Sequence, residues 1–277
     1  MPTALITGAS TGIGRATALR LASSGWEVLA GVRGAEAGER LVADAPSGAI
    51  VPLSLDVTDS SQIAAARERV EQDGGRLDAL VNNAGIGVGG PLELISEEEL
   101  RKQFDVNVFG QIAMTRALLP ALRRAQGRII FISSIGGLVA MPFTAPYGAS
   151  KHAVEAFADA LRVELRTSAV QVALIEPGSV ATPIWDKGKA EAETFEVPPE
   201  LQSVYGAAVP ALAKALESTG SRGVPPEKVA DTIAGALTAR RMRARYLIGS
   251  DARVMLLLKR LLPDHLFDAF ARRALGV

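Results

Sequence analysis

The feature that most constrains the fold is an alternation of short apolar runs with longer segments of helical period. The short runs, rich in β-branched residues or leucine, lie at 4–7, 27–32, 50–55, 79–81, 128–133, 171–175 and 245–248. The longer segments lie at 13–23, 61–72, 97–124, 149–166 and 227–239. Strands that alternate with helices in this way pair in parallel, with the helices as crossovers. The sequence therefore predicts an α/β fold, a single doubly wound, mostly parallel sheet with helices on both faces.

Two helix starts carry capping signals. Ser96 followed by Glu99 has the pattern of a capping box, in which each side chain bonds to the backbone of the other residue. Asp59 followed by Gln62 is a weaker form of the same signal. Helices are thus expected to begin just after Ser96 and Asp59.

No internal repeat or linker divides the chain, so we predict one domain over residues 1–277. Residues 185–224 mix Lys, Gly, Glu and Pro with isolated aromatic residues. Such an insertion is either a mobile segment that covers the substrate or a surface excursion without function. Residues 250–277 are predicted as a helical extension. Its apolar residues recur at helical spacing, so we expect it to pack over the substrate cleft or a neighbouring subunit.

Composition excludes several classes of protein. The chain has no cysteine, two histidines, and 30 basic residues against 30 acidic ones. Thiolate metal sites and thiol catalysis are therefore excluded, and we assign no metal site and no role to either histidine. A nucleic-acid binder would show a basic face. The N-terminus has no secretion signal, and the apolar run 254–258 is too short to span a membrane, which predicts a cytoplasmic protein without integral membrane association.

A glycine-rich turn follows the first predicted strand and opens a helix. It reads Thr-Gly-Ala-Ser-Thr-Gly-Ile-Gly from Thr7 to Gly14. Glycines in this context let backbone amides approach a pyrophosphate, although such turns also occur without a ligand. The candidate cofactor contacts in the turn are Gly8, Ser10, Thr11, Gly12, Ile13 and Gly14.

The end of the second strand indicates which cofactor is preferred. Sheets that bind NAD place an acidic residue there, whereas this chain has Val32 followed by Arg33. No carboxylate repels a 2′-phosphate, and a guanidinium suits phosphate, so NADP(H) is favoured over NAD(H). Arg15 either helps to bind the phosphate or is a solvated side chain in the first helical turn.

Tyr147 and Lys151 are four residues apart in a predicted helix and therefore lie on one face. A lysine ammonium about 4 Å away would lower the pKa of a tyrosine by on the order of three units, towards the working pH of a general acid. The pair predicts proton transfer by Tyr147. On its own, however, this spacing is common by chance.

Taken in order, these motifs resemble the short-chain dehydrogenase/reductase family over about residues 3–185. The resemblance rests on the glycine turn, Asn-Asn-Ala-Gly at 82–85, the Tyr147 and Lys151 pair, and Pro177-Gly178. It implies a Rossmann-type NAD(P)-binding fold with Asn107, Ser134, Tyr147 and Lys151 as catalytic residues. Further cofactor contacts implied by it are Asp56, Val57, Asn83, Ala84, Gly85, Tyr147, Lys151, Pro177, Gly178, Val180 and Thr182.

The resemblance also implies a role for each catalytic residue. Ser134 would bond the substrate oxygen, Tyr147 would give or take its proton, and Lys151 would hold the nicotinamide ribose and lower the tyrosine pKa. Asn107 would anchor a water, the alternative being an asparagine that bonds locally within its helix. Ser134 is chosen over the neighbouring Ser133 because the family places its serine thirteen positions before the tyrosine. Thr182 would bond the nicotinamide carboxamide.

The substrate is less constrained. The chain is most similar to the branch that contains 17β-hydroxysteroid dehydrogenase type 1 and the retinol dehydrogenases, which implies a hydrophobic secondary alcohol or ketone, or a primary alcohol or aldehyde. Four residues line an apolar cleft or pack in the core: Met141, Phe143, Trp185 and Tyr205. The alternatives are a reductase of 3-ketoacyl carrier protein or of small ketones, and a non-catalytic NADP-sensing scaffold. The family also implies a homodimer or homotetramer joined through the helices at 97–124 and 149–166.

Overall fold

The computed structural model describes residues 1–46 and 48–275, and its centre is a seven-stranded sheet. The strands are β1 Thr3–Ile6, β2 Glu27–Val32, β3 Ile50–Ser54, β4 Ala79–Asn82, β5 Arg128–Ile132, β6 Gln171–Pro177 and β7 Arg245–Ile248. All pairings are parallel, in the order β3-β2-β1-β4-β5-β6-β7. The doubly wound sheet is confirmed, and each predicted strand ends within two residues of the observed one.

Helices cover both faces of the sheet. One face carries α1 Gly12–Ala22, α2 Ala35–Ala43 and α10 Pro226–Thr238, and the other carries α3 Ser60–Gln72, α5 Gln111–Ala125 and α6 Ala145–Glu164. Successive strand residues alternate between the two cores: Ala4 and Ile6 bury on the first face and Leu5 on the second. Strands covered on both sides must be apolar throughout, which explains the unbroken hydrophobic runs in the sequence.

The helix predicted at 97–124 is one helical rod with a change of winding in the middle. It consists of α4 Glu97–Phe104, a π-helical segment Asp105–Gly110, and then α5. The predicted capping box opens α4, since Ser96 Oγ accepts from the Glu99 amide and the Glu99 carboxylate accepts from the Ser96 amide. The spacing of apolar residues does not distinguish a π-helical turn from an α-helical one, so the π-helical segment was not predicted.

Asp59 caps α3 as expected, because its carboxylate accepts from the amides of Ser61 and Gln62. The reciprocal half of the capping box is replaced by another bond. Gln62 Oε1 accepts from the amide of Asp56 at 2.8 Å instead of from Asp59. The start of α3 is thereby tied to the loop after β3.

Residues 185–224 and the C-terminal extension lie next to each other. The first contains α8 Gln202–Tyr205, α9 Ala208–Arg222 and most of α7 Ile184–Glu193. The second contains α11 Ser250–Leu261 and α12 Asp264–Leu275, whereas residues 276 and 277 lie outside the described residues.

The extension packs against the segment that follows Ser134. Phe267 and Ala271 of α12 are buried with Val139, and the half-buried Ile135 packs against them. The opposite side of α11 exposes three apolar residues, Val254, Leu257 and Leu261. No helix in the described part of the chain is both long and apolar enough to cross a membrane.

Candidate active site

The site lies where the strand order reverses, between β1 and β4. Thr7 Oγ1 accepts hydrogen bonds from the amides of Asn83 and Ala84, at 3.0 and 2.9 Å. The Asn83 side-chain amide donates to the carbonyls of Thr7 and Gly8, at 2.9 and 3.0 Å. These bonds join the ends of the two strands. In doubly wound sheets the crevice at this point is where ligands bind.

The glycine turn spans this crevice and requires its glycines. Gly8 and Gly12 have φ of +66° and +54°, which other residues rarely adopt. A Cβ on Gly14 would stand 2.3 Å from the Gly8 carbonyl oxygen and 2.4 Å from Asn83 Nδ2. Thr11 precedes α1 without a side-chain capping bond, so its side chain leaves the first amides of that helix to other partners. This cradle fits a pyrophosphate, which binds to glycine-rich turns and to helix N-termini.

Arg33 and Asp56 follow the neighbouring strands β2 and β3. Partial burial acts to raise the pKa of Asp56, but hydrogen bonds from Thr58 and the charge of Arg33 outweigh it and lower the pKa. Arg33 is exposed. Arg15, the other candidate for the phosphate, forms an ion pair with Asp44.

Ser134 and Tyr147 meet at the carboxyl end of β5. Both side chains lie against Gly136, whose amide donates to Ser134 Oγ at 3.0 Å. A Cβ on Gly136 would stand 3.1 Å from Tyr147 Cε1 and 3.5 Å from Ser134 Oγ, so the glycine allows the ring to approach. Burial raises the pKa of Tyr147, and the nearby Ser134 hydroxyl opposes this shift without cancelling it.

Lys151 is buried one turn after Tyr147, but its ammonium is directed to a backbone oxygen. Its Nζ donates to the Ile132 carbonyl at 2.8 Å and lies 5.8 Å from the centre of the Tyr147 ring. Burial lowers the pKa of Lys151 to about 8, while the charge of Glu155 acts to raise it. The expectation that Lys151 lowers the pKa of Tyr147 is therefore not met here, because burial dominates.

Asn107 lies in the π-helical segment and bonds across to another segment. Its Oδ1 accepts from the Ile86 amide at 2.8 Å, and its Nδ2 donates to the Ile86 carbonyl at 3.0 Å and to Ser150 Oγ at 3.1 Å. The alternative of local bonding within the helix is therefore wrong. Gly85 is close by, since a Cβ on it would stand 3.3 Å from Asn107 Oδ1.

Two further amides, which were not predicted, extend this contact. Gln103 Oε1 accepts from the Val88 amide at 2.6 Å, and Gln111 Nε2 donates to the Ala84 carbonyl at 2.9 Å. With Asn107, they form a ladder of amides four residues apart along segment 84–88. In a regular α-helix two such steps drift by about 80° around the axis, and the wider π turn offsets that drift. In the sequence, the pattern that could have predicted this ladder is three amide side chains spaced four residues apart.

The Pro177–Thr182 loop forms the facing wall. The Gly178 amide donates to the Ile248 carbonyl at 2.8 Å, and the Ser179 amide to Asp251 Oδ2 at 2.7 Å. Val180 is buried and pairs with Val224. Across the crevice, Thr182 Cγ2 would be 3.0 Å from a Cβ on Gly12. The loop and the glycine turn therefore face each other at contact distance.

The four predicted cleft residues have different positions. Trp185 Nε1 donates to the Val180 carbonyl at 2.6 Å and its side chain packs on Gly220, so it contacts its own segment. Tyr205 donates to Glu93 Oε2 at 3.1 Å, which ties residues 185–224 to the loop after β4.

Phe143 and Met141 lie on the other side of the crevice. Phe143 has φ of +62°, and its carbonyl accepts from the Gly90 amide at 2.7 Å. Met141 packs with the C-terminal extension. Ile184, which was not predicted, approaches the tyrosine: its Cδ1 and Tyr147 Cδ2 are each 3.9 Å from where a Cβ on Gly87 would lie.

Comparisons with known proteins agree with this arrangement. The model of the family described as short chain dehydrogenase matches residues 2–193. The NADPH-dependent 3-dehydrocapnine reductase of Ornithobacterium rhinotracheale is 36% identical, with 96% of this chain and 94% of that protein covered. Human 17-beta-hydroxysteroid dehydrogenase type 1 is 38% identical, with 87% and 76% covered. A short-chain dehydrogenase from Burkholderia cenocepacia, solved in complex with NADP, has a TM-score of 0.74 at 27% identity, with 99% and 97% covered.

The architecture, the residues at the crevice and these similarities point to one family, whose members use NAD(P)(H). In the part of the chain that the structure describes, no group of three His, Asp or Glu residues could hold a metal ion. The chain belongs to the short-chain dehydrogenase family of oxidoreductases.

Proposed function

We propose that the protein is an NADPH-dependent reductase of a hydrophobic ketone, and that it oxidises the matching secondary alcohol in reverse. The observation that carries this proposal is that the Ser134 and Tyr147 side chains meet beside Gly136 at the carboxyl end of β5. It places two hydroxyl groups side by side, where one can bond a carbonyl oxygen while the other transfers a proton to it.

The preference for NADPH rests on the residues around the crevice. The glycine turn and the uncapped start of α1 would hold the pyrophosphate. Arg33 follows β2 at the place of the ribose-binding carboxylate and is exposed, whereas Arg15 is engaged with Asp44. A relative named for NADPH dependence supports the same preference, while the solved neighbours include complexes with NADP and with NAD. When bound, the reduced nicotinamide supplies the hydride.

The raised pKa of Tyr147 suits the direction of reduction. A phenol that stays protonated at neutral pH can donate its proton to the developing alkoxide. Ser134 Oγ accepts from the Gly136 amide, and its hydroxyl can donate to a substrate oxygen that enters the site. Lys151 would hold the nicotinamide ribose.

The hydrophobic substrate is inferred from the residues near Tyr147. Ile184 and Tyr147 both lie next to Gly87, and Met141 with the C-terminal extension forms an apolar cluster just beyond Ser134. The similarity to a hydroxysteroid dehydrogenase agrees with an apolar cleft.

We also propose a homodimer or homotetramer joined through α5, α6 and the π-helical segment. Three apolar side chains on these elements are solvent-exposed in the single chain, namely Phe109, Phe157 and Val163. A second subunit packed on these elements would cover exposed apolar side chains of this kind.

The experiment that tests the function is a ketone panel with NADPH, followed by loss of nicotinamide absorbance. The panel contains a steroid ketone, a long-chain aliphatic ketone and a short 3-ketoacyl thioester. We expect the apolar ketones to be reduced with a higher kcat/KM than the thioester. NADPH oxidation no faster than in a Tyr147→Phe variant with every ketone would contradict the proposal.

A further inference from the structure

Behind the active site, one guanidinium is surrounded by three carboxyl groups. Arg245 of β7 donates to Glu155 Oε2 from Nε and Nη2, at 3.2 and 3.0 Å, and to Asp159 Oδ2 at 2.6 Å. Its Nε also lies 3.0 Å from Glu176 Oε1. Glu155 and Glu176 are buried, whereas Asp159 is on the solvent side and pairs with Arg162 as well.

Only one cation contacts both buried carboxyl groups. Arg162 pairs with Asp159, which leaves Arg245 to contact Glu155 and Glu176. Lys151, the other buried cation nearby, donates to the Ile132 carbonyl and to neither carboxyl group. Two adjacent buried carboxylates that share one guanidinium repel each other, and one additional proton removes this repulsion.

The hydrogen bonds also indicate one additional proton on the two glutamates. Glu155 Oε1 and Glu176 Oε1 are buried and have no hydrogen-bond partner. The Nε hydrogen of Arg245 is used by Glu155 Oε2, so its contact with Glu176 is an ion pair only. Ionised carboxylates can only accept, whereas a protonated one can donate to its neighbour. A proton on either carboxyl would satisfy both oxygens.

This pair adjoins the segment that carries Ser134. Ser133 Oγ is also buried without a partner, and the register of β5 with β6 brings Ser133 level with Glu176. A Cβ on Gly137 would stand 2.7 Å from Ser133 Oγ, 3.2 Å from Glu155 Cγ and 3.1 Å from the Lys151 carbonyl oxygen. The carboxyl pair, the 133–137 segment and the backbone of Lys151 are thus packed together.

We propose that the pair formed by Glu155 and Glu176 holds one proton, which Glu176 carries and directs towards Glu155. This carboxyl pair positions Lys151 and the 133–137 segment for the reaction. The proposal rests on the function proposed above. Glu155 accepts two hydrogen bonds from Arg245 and acts on Lys151, which lies one helical turn away. The pair does not touch the substrate and is therefore a positioning element.

The titration of these groups agrees with the proposal. Burial and the neighbouring Glu155 raise the pKa of Glu176 to about 7, although Arg245 opposes the shift. The charge of Glu155 acts to raise the pKa of Lys151 against the effect of burial. The charged groups that face Glu176 are Arg245 on β7 and Lys151, Glu155 and Asp159 on α6, with Asp251 of α11 beside the adjoining Gly178 turn.

Thermal unfolding as a function of pH tests the shared proton without requiring a substrate. The pKa of Glu176 lies above its unfolded value of 4.5, so the folded state binds the extra proton. The proton therefore contributes to the free energy of unfolding in full below the unfolded pKa, and this contribution is lost as pH rises through about 7.

Glu176→Gln cannot ionise, so the Tm of the parent should fall relative to this variant by about 2–8 °C between about pH 5 and 8. Glu36→Gln, which neutralises an exposed carboxylate of α2 outside this group, should follow the parent. A constant Tm difference between the parent and Glu176→Gln across this range would overturn the proposal.

The pH profile of kcat/KM tests the effect on Lys151. Glu155→Gln removes the carboxylate that supports the ammonium, so the alkaline limb should move to lower pH by about one unit, while Glu36→Gln leaves it in place. If Glu155→Gln lowered kcat/KM equally at every pH and left the alkaline limb at the same pH, Glu155 would have only a structural role and the positioning claim would be overturned. The thermal measurement decides on the shared proton even if no ketone is reduced, so failure of the proposed function is distinguishable from failure of this inference.

Discussion

The ammonium of Lys151 lies 5.8 Å from the centre of the Tyr147 ring and is bonded to a backbone carbonyl instead of the phenol. Burial acts on the two groups in opposite directions, raising the pKa of Tyr147 and lowering that of Lys151 to about 8. Each shift favours the neutral form of its group. In the free protein, the lysine is therefore the group of this pair that titrates nearest to neutral pH.

We expect kcat/KM for ketone reduction to fall as pH rises through about 8, because Lys151 loses its proton above its pKa. The Lys151→Arg variant carries a guanidinium that stays charged, so its alkaline limb should disappear even if its turnover is lower. Rate profiles of both proteins over pH 6–10 provide the measurement. An identical limb in the variant would assign it to another group.

Replacing Tyr147 by Phe should lower turnover by at least about a hundredfold, since general acid catalysis typically contributes a hundred- to ten-thousandfold. NADPH should still bind, because the glycine turn, Arg33 and Lys151 are unchanged. Turnover and cofactor affinity are measured together in the folded variant. The matched control is Tyr246→Phe, which removes a hydroxyl that accepts from the Arg243 amide away from the crevice. Turnover within tenfold of the parent in Tyr147→Phe would exclude this residue as the proton donor.

For the cofactor, Arg33→Asp should raise the KM for NADPH by about ten- to a hundredfold while NADH turnover stays equal or improves. A phosphate–guanidinium pair contributes roughly 1.5–3 kcal/mol, and the new carboxylate adds repulsion. Arg40→Asp, which alters an exposed arginine of α2, is the control for a general change of charge. Retention of the parental NADPH preference in Arg33→Asp would show that the 2′-phosphate is held elsewhere.

Two glycine-to-alanine changes within helices should have opposite effects on stability. Gly235 in α10 has open space around it, so Ala should stabilise the fold by roughly 0.5–1 kcal/mol through helix propensity. At Gly14 in α1 the new methyl group would meet the Gly8 carbonyl and Asn83, which forces the turn apart. Gly14→Ala should lower Tm and weaken NADPH binding. Equal shifts in Tm for both variants would contradict the close packing described for the turn.

The oligomer is tested by placing a charge on α6. Phe157, which is 44% exposed, should be covered by a second subunit, so Phe157→Glu should give a smaller particle by sedimentation or light scattering. Leu261 is 70% exposed on α11, outside the proposed interface, and Leu261→Glu should leave the mass unchanged. A monomeric parent at micromolar concentration would refute the interface.

Sequence patterns predicted the sheet well because strand periodicity and capping are local. All seven strands and the capping box at Ser96 follow from neighbouring residues. The Arg245 cluster joins side chains 90 residues apart, and no local period reports such a contact. The position of Lys151 was missed for a related reason, since helical spacing places two side chains on one face but does not say which partner each one takes.

The π-helical segment also limits which changes of chain length the protein tolerates. In genetic terms, a single-codon deletion within 105–110 would remove the extra residue and restore an uninterrupted α-helix, which by local criteria is the more regular structure. The restored helix would keep Gln103 and Gln111 within about 20° of each other but would turn Asn107, between them, by about 40–60° relative to both, so the Ile86 backbone would lose its bonds to Asn107. We therefore expect natural length variation to fall in exposed loops and to spare this turn, even though the deletion would improve the helix that contains it.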